Sequence, residues 1–166
     1  AFDHYISDTI VSSDAIEERL APLYERLKLP AGRLELMTGI KERRVWDVGT
    51  RPSSLSTIAA AKTLKKSKID KAQIEILIHS SVCRDFLEPA TASVVHNALG
   101  LSPKCMIMDV SNACLGVLSS FILVANMIES GAIKCGMIVS GENSSPLLEQ
   151  TIDFLLNDSS ITRKSI

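Results

Sequence analysis

The chain has 166 residues, enough for one domain-sized unit that buries about two-thirds of its unfolded surface. With 18 basic against 19 acidic side chains and a formal charge of −1, its balance does not point to a nucleic-acid partner, since such proteins gather Lys and Arg on one face. The cysteines at 83, 105, 114 and 135 form neither a CxxC pair nor a zinc spacing, which argues against a metal site or disulfide framework and for a reducing, cytoplasmic compartment.

The opening stretch AFDHYISDTIVSSD lacks a basic region followed by an apolar run, so no signal peptide is expected. Asp14 and Glu17 make a capping-box-like start, and Ile16, Leu20, Leu23 and Leu27 then recur at helical spacing before Pro30. This pattern predicts an amphipathic helix. A short helix over 32–37 stops at Gly39, and IKERRVW reads as an extended or edge segment. Its KERR cluster, 41–44, is the strongest basic patch. Without interleaved aromatic residues it reads as a solvated turn or subunit rim.

A helix from about Ser54 to Lys66 presents Leu55, Ile58, Ala59 and Leu64. IEILIHSS, 74–81, is β-branched and apolar, the composition of a buried strand. Another helix follows Pro89, which a first helical turn tolerates, and ends at Gly100. CMIMDV, 105–110, is the next strand, a long helix after Cys114 stops near Gly131, and KCGMIVSG, 134–141, is a third strand. Alternation of this kind predicts an α/β fold, a mainly parallel sheet with helices on both faces. CLGVLSSFILVANMI, 114–128, is the most apolar window. It is shorter than the about 20 residues of a membrane span and carries Ser119, Ser120 and Asn126, so a buried helix is expected and no membrane span.

Cys114 follows a strand and opens that helix. Unpaired N–H groups at a helix N-terminus favour a thiolate, and strand ends in such a sheet are where ligands sit. A free cysteine is equally a small buried hydrophobe, so position alone leaves both readings open. Cys105 and Cys135, inside apolar strands, read as core, and Cys83 is undecided. His96 reads as a helix-surface residue and Trp46 as a packing or interface residue.

Three motifs in order, TGIKERR at 38–44, DVSNACLGV at 109–117 and ESGAIKCGMIVSGE at 129–142, resemble the N-terminal half of ketoacyl synthase III type enzymes of the thiolase superfamily. The resemblance covers nearly the whole chain. It implies a thiolase-like fold in which residues 1–166 are one half of a duplicated architecture, the C-terminal half being absent from this chain. It also implies a homodimeric acyltransferase that needs no cofactor, takes acyl-CoA or acyl carrier protein as substrate, and forms an acyl thioester on Cys114. The histidine and asparagine that assist the cysteine belong to the second half, and His4, His79 and His96 lie outside the family's histidine motif. The isolated half is expected to be inactive or limited to slow self-acylation.

SSVCRDFLEPATASVV, 80–95, is similar to the matching segment of the olefin-biosynthesis (OleA-type) thiolases, which join two fatty acyl-CoA molecules into a long-chain β-keto acid. There the glutamate before the proline is a base lent across the dimer interface, and Glu88 holds that position. Decarboxylation of a malonyl thioester generates its own carbanion, whereas an ordinary acyl thioester needs a base for its α-proton. Read without the resemblance, Glu88 only flanks a helix start, where an acidic residue is favourable. The family's coenzyme A-gripping Trp and Arg correspond by register to Arg33 and Met37, so Arg33 is a substrate-binding candidate, or else an exposed surface arginine. Two alternatives stand beside this expectation: a decarboxylating synthase using a malonyl carrier protein, and a non-catalytic acyl-binding scaffold.

Overall fold

A computed structural model describes residues 1–164, so the last two positions of the expected 1–166 domain lie outside the described residues. In chain order the elements are β1 Ile10–Ser12, α1 Ser13–Arg19, α2 Ala21–Leu27, α3 Arg33–Thr38, β2 Glu42–Arg44, α4 Pro52–Ser67, β3 Ile76–Ser80, α5 Thr91–Leu99, β4 Met106–Val110, α6 Gly116–Glu129, β5 Gly136–Val139 and α7 Ser145–Asn157. The described residues fall into two compact units: Ala1–Tyr5 with Thr50–Asn143, and Ile6–Gly49 with the chain from Ser144 onward.

The first unit is built on a three-stranded sheet of order β4-β3-β5, parallel throughout, with Ile76 in register with Met106 on one side and Gly136 on the other. β3 is central and all five of its residues are buried. Strand side chains alternate between faces, so Leu77 enters one cluster with Ala60, Val95 and Met137 while Ile76 and Ile78 enter another with Val124 and Ile133. Helices α4 and α5 thus cover one face and α6 the other, as the alternation of elements predicts. Gly136 lets α6 come close: a Cβ there would stand 2.8 Å from Val124 Cγ1 and 2.9 Å from Ile76 Cγ2.

Two details of this unit differ from expectation. On α4 the buried face is Ser53, Leu55, Ser56 and Ala60, whereas Ile58 is 38% exposed. Where Ser56 and Pro52 lie on this face the chain opposite is Gly141, and a Cβ added there would collide with the Pro52 carbonyl and Ser56 Oγ. Cys105 is core as expected, but Cys135 is only half-buried at the margin of the same cluster.

In the second unit β1 and β2 pair antiparallel, with Val11 opposite Arg43. The helix predicted before Pro30 is two helices. Pro22 has no N–H for an i→i−4 bond, so α1 ends at Arg19 with Leu20 as its cap and α2 restarts with Pro22 in its first turn. The cap is Ser12, whose Oγ accepts from Ala15 N at 3.0 Å, and not Asp14. Glu17 turns inward instead and accepts from Gly32 N at 2.6 Å, Leu34 N at 2.5 Å and Tyr24 Oη at 3.2 Å. Ile16, Leu20, Leu23 and Ile152 form the core, the last supplied by α7, a helix the sequence patterns left unassigned. Within KERR, Arg43 donates to Ser13 Oγ at 3.1 Å and Arg44 to the Ser7 carbonyl at 3.3 Å. Trp46 is half-buried, its carbonyl accepting from Ser145 Oγ at 2.5 Å. Among the described residues no helix is long and apolar enough to cross a membrane.

Candidate active site

Three loops leave the C-terminal ends of β3, β4 and β5, at the edge of a parallel sheet where ligands collect. The loop after β4 carries Cys114. It is a tight turn: Leu115 N donates to the Asn112 carbonyl at 2.9 Å and Gly116 N to that of Ala113 at 3.4 Å. Ala113 has φ of +43°, a left-handed conformation that costs a residue with a Cβ about 1–2 kcal/mol. The turn aims Cys114 outward, and its side chain is exposed. Helix α6 starts two residues later than expected, at Gly116 with Leu115 as cap, which puts Cys114 just ahead of the helix. Glycine at 116 suits the close approach to β3, since a Cβ there would collide with Ser80 Oγ. Asn112 Nδ2 donates to Ser119 Oγ at 2.9 Å, tying the turn to the helix it precedes.

The loop after β3 carries Glu88 and is fastened at its base. The Glu142 carboxylate, just past β5, accepts from Val82 N at 2.7 Å and Cys83 N at 3.1 Å. Ser81 Oγ donates to the Cys83 carbonyl at 2.5 Å, and Asp85 accepts from Ser53 N at 2.9 Å and Ser53 Oγ at 2.5 Å. Arg51 lies 5.7 Å from the Phe86 ring centroid, within cation–π range. Beyond this base Phe86, Leu87, Glu88 and Pro89 are exposed, Leu87 by 87%. The Glu88–Pro89 peptide is cis. The far side of the projection is held from β4, where Asp109 accepts from Thr91 N at 2.7 Å and Ala92 N at 2.8 Å.

Under this edge lies His79, fully buried on β3, with Nε2 3.0 Å from Ser56 Oγ and Nδ1 3.2 Å from Ser81 Oγ. Because the Ser81 hydroxyl proton goes to the Cys83 carbonyl, Ser81 Oγ accepts from Nδ1–H, and Nε2 accepts from Ser56. Burial pushes the His79 pKa down, against the pull of Asp109, Asp85 and Glu142. Burial likewise pushes the Cys83 and Cys105 thiols up. Among the described residues no three His, Cys, Asp or Glu side chains are placed to hold a metal.

Cys114 and Glu88 therefore stand on loops from paired strands of one unit, whereas Arg33, half-buried in the first turn of α3, belongs to the other unit. His96 is not a free surface residue: it is half-buried and Nε2 donates to the Ser102 carbonyl at 3.0 Å. Sequence reading passed over Asp109 and Glu142 although each stands at one end of a quoted motif. Nothing in the sequence marked His79, whose partners Ser56 and Ser81 are assembled only by packing.

The family described as thiolase, N-terminal domain, matches residues 36–153. An acyl-CoA:acyl-CoA alkyltransferase of Shewanella oneidensis is 45% identical over 153 residues, covering 92% of this chain and 44% of its own. One of Xanthomonas campestris is 39% identical over 150 residues, covering 90% and 44%. A β-ketoacyl-[acyl-carrier-protein] synthase III of Koribacter versatilis is 35% identical over 114 residues, covering 69% and 34%. A crystal structure of Xanthomonas campestris OleA superposes with a TM-score of 0.92 at 36% identity, covering 98% of this chain and 47% of that one. Another, of a cysteine-to-serine variant with bound lauric acid and lauroyl-CoA, superposes at 0.91 and 36% identity, covering 98% and 48%. The chain spans less than half the length of the curated relatives it matches. With its parallel sheet, its outward Cys114 turn and this match to the N-terminal domain, the chain belongs to the thiolase family and has the fold of that family's N-terminal half.

Proposed function

We propose that the complete protein is a cytoplasmic, homodimeric acyltransferase that condenses two fatty acyl-CoA molecules, with residues 1–166 as its nucleophile-bearing N-terminal half. The observation that carries this reading is the exposed Cys114 on a strained turn at the C-terminal edge of the sheet, with the exposed Glu88 turn on the neighbouring loop. The similarity to proteins named acyl-CoA:acyl-CoA alkyltransferase supports the choice of substrates.

In the proposed reaction the Cys114 thiolate attacks the carbonyl of the first acyl-CoA, the C–S bond to coenzyme A breaks, and the carrier leaves as its thiolate. The Glu88 carboxylate, lent to the partner's site, removes the α-proton of the second acyl-CoA. The resulting carbanion forms the new C–C bond at the acyl-cysteine carbonyl and expels the Cys114 thiolate, leaving a 3-oxoacyl thioester. Arg33 is assigned to the nucleotide of coenzyme A, and the oxyanion-stabilising histidine and asparagine to the second half. A decarboxylating synthase is the second reading, supported by the similarity to synthase III proteins.

The test is intact-protein mass spectrometry of the complete protein after incubation with a long-chain acyl-CoA, together with product analysis. An acyl adduct lost in Cys114→Ala but kept in Glu88→Ala, with condensation lost in both, is the expected result. Condensation only with a malonyl carrier protein would favour the second reading. No adduct in any variant would leave a non-catalytic scaffold.

A further inference from the structure

Glu88 stands three residues before Thr91, and the structure fixes Thr91 firmly. Its backbone N–H and that of Ala92 are the first two donors of α5, and helix starts leave such donors without intrahelical partners. The cap residue Ala90 has no side chain able to accept from them. Both go instead to the Asp109 carboxylate, at 2.7 and 2.8 Å, from the strand that runs directly into the Cys114 turn. Thr91 is fully buried, and its Oγ1 accepts from Asp85 N at 3.2 Å on the other side of the projection. The exposed turn Phe86–Pro89 is thus held between two feet, one at Asp85 and one at Thr91. Asp109 is the charged group that fastens the second foot.

We propose that Asp109 is a positioning residue for condensation: it fixes where the Glu88 carboxylate stands on the subunit that lends it. The proposal rests on the reading of Glu88 as the base. Its physical ground is that charge-assisted bonds to two consecutive N–H groups set the direction of the chain entering α5. Removing them frees the three residues that lead back to Glu88, and a misplacement of about 1 Å can reduce a rate about 100-fold. Acylation of Cys114 does not use Glu88, so the two half-reactions separate this role from general damage to the fold.

The complete protein, Asp109→Ala, Asp109→Asn, Glu88→Ala and the Glu88→Ala/Asp109→Ala double variant would be compared in two assays, acyl-adduct formation by mass spectrometry and condensation at saturating acyl-CoA. Asp109→Ala is expected to keep adduct formation within about twofold and to lose about 100-fold in condensation kcat. Asp109→Asn retains one acceptor oxygen and is expected to fall between it and the wild type. The double variant is expected to condense no more slowly than Glu88→Ala, because a misplaced base and a missing base have the same effect. Adduct formation lost together with condensation, or an additive loss in the double variant, would overturn the proposal while leaving Glu88 as base. Undiminished condensation in Glu88→Ala would overturn both.

Discussion

His79 Nε2 lies 3.0 Å from Ser56 Oγ inside the sheet unit, a polar pair with no exposed surface on either residue. The pair joins the middle strand β3 to helix α4, and through Nδ1 and Ser81 it reaches the base of the Glu88 loop. Both ring nitrogens are used by the neutral imidazole, one donating and one accepting. A second ring proton would have to displace the Ser56 hydroxyl proton, so charging this histidine disrupts the network.

That arrangement predicts a pH dependence of stability. The folded pKa of His79 lies below its ordinary value of 6.5, so in mild acid the unfolded chain binds a proton that the folded chain refuses. Its contribution is complete above about pH 6.5 and declines as the pH falls below that value. Thermal unfolding followed from about pH 7.5 to about 5.5 is expected to show a falling Tm, and His79→Gln, less stable throughout, a shallower fall. An equal fall in both proteins would remove His79 as its source.

Glu17 titrates in a more acidic window. Burial raises its pKa, but the N–H groups of Leu34 and Gly32 and the Tyr24 hydroxyl outweigh burial and hold it below the ordinary 4.5. The stability it supplies is therefore present above about pH 4.5 and lost as the pH falls through the lower folded value. Glu17→Ala removes the acceptor of two backbone donors and is expected to cost about 1–3 kcal/mol in urea unfolding at neutral pH. Glu17→Gln, with one acceptor oxygen left, should lose less.

Gly116 offers a test of packing next to the candidate nucleophile. A methyl group in its place meets Ser80 Oγ, so Gly116→Ala is expected to destabilise by about 1–3 kcal/mol despite the better helix propensity of alanine. Ser80→Ala removes the opposing atom and should recover most of that loss in the double variant. A double-mutant cycle in denaturant measures the coupling, and additive losses would show that the clash is relieved elsewhere.

The four thiols should differ in reactivity. Cys114 is exposed, Cys83 and Cys135 are half-buried, and Cys105 is buried. Burial also raises the pKa of Cys83 and Cys105, which lowers their thiolate fraction. Brief iodoacetamide treatment of the native protein, followed by peptide mass spectrometry, is expected to find the label on Cys114 first and on Cys105 last.

Much of this architecture was legible in the order of residues. Ile76, Leu77 and Ile78 form an unbroken apolar run, and such a run between helical patterns is satisfied only where both faces of a strand are covered. Gly39 and Gly100, both at positive φ, ended α3 and α5 where the sequence placed them because that conformation is nearly free of cost only for glycine. The motif around Cys114 and the Glu-Pro step at 88 were likewise visible, since both are local in the chain. The periodicity of Ile16, Leu20, Leu23 and Leu27 reads as one helix and runs past Pro22, whose missing N–H divides it in two.

The tertiary structure alone decided where the polar groups go. Glu17 follows Asp14 at capping-box spacing, yet it serves Gly32 and Leu34, because burying an unpaired backbone donor is worse than leaving a helix start to Ser12. Asp109 and Glu142 look like the ends of strand motifs, and only the parallel pairing of β3 with β4 and β5 brings their carboxylates to the two sides of the Glu88 loop. Local patterns report which segments are helix and strand, since periodicity is a property of neighbours. Which carboxylate meets which N–H depends on contacts between residues far apart in sequence, and those exist only once the sheet has formed.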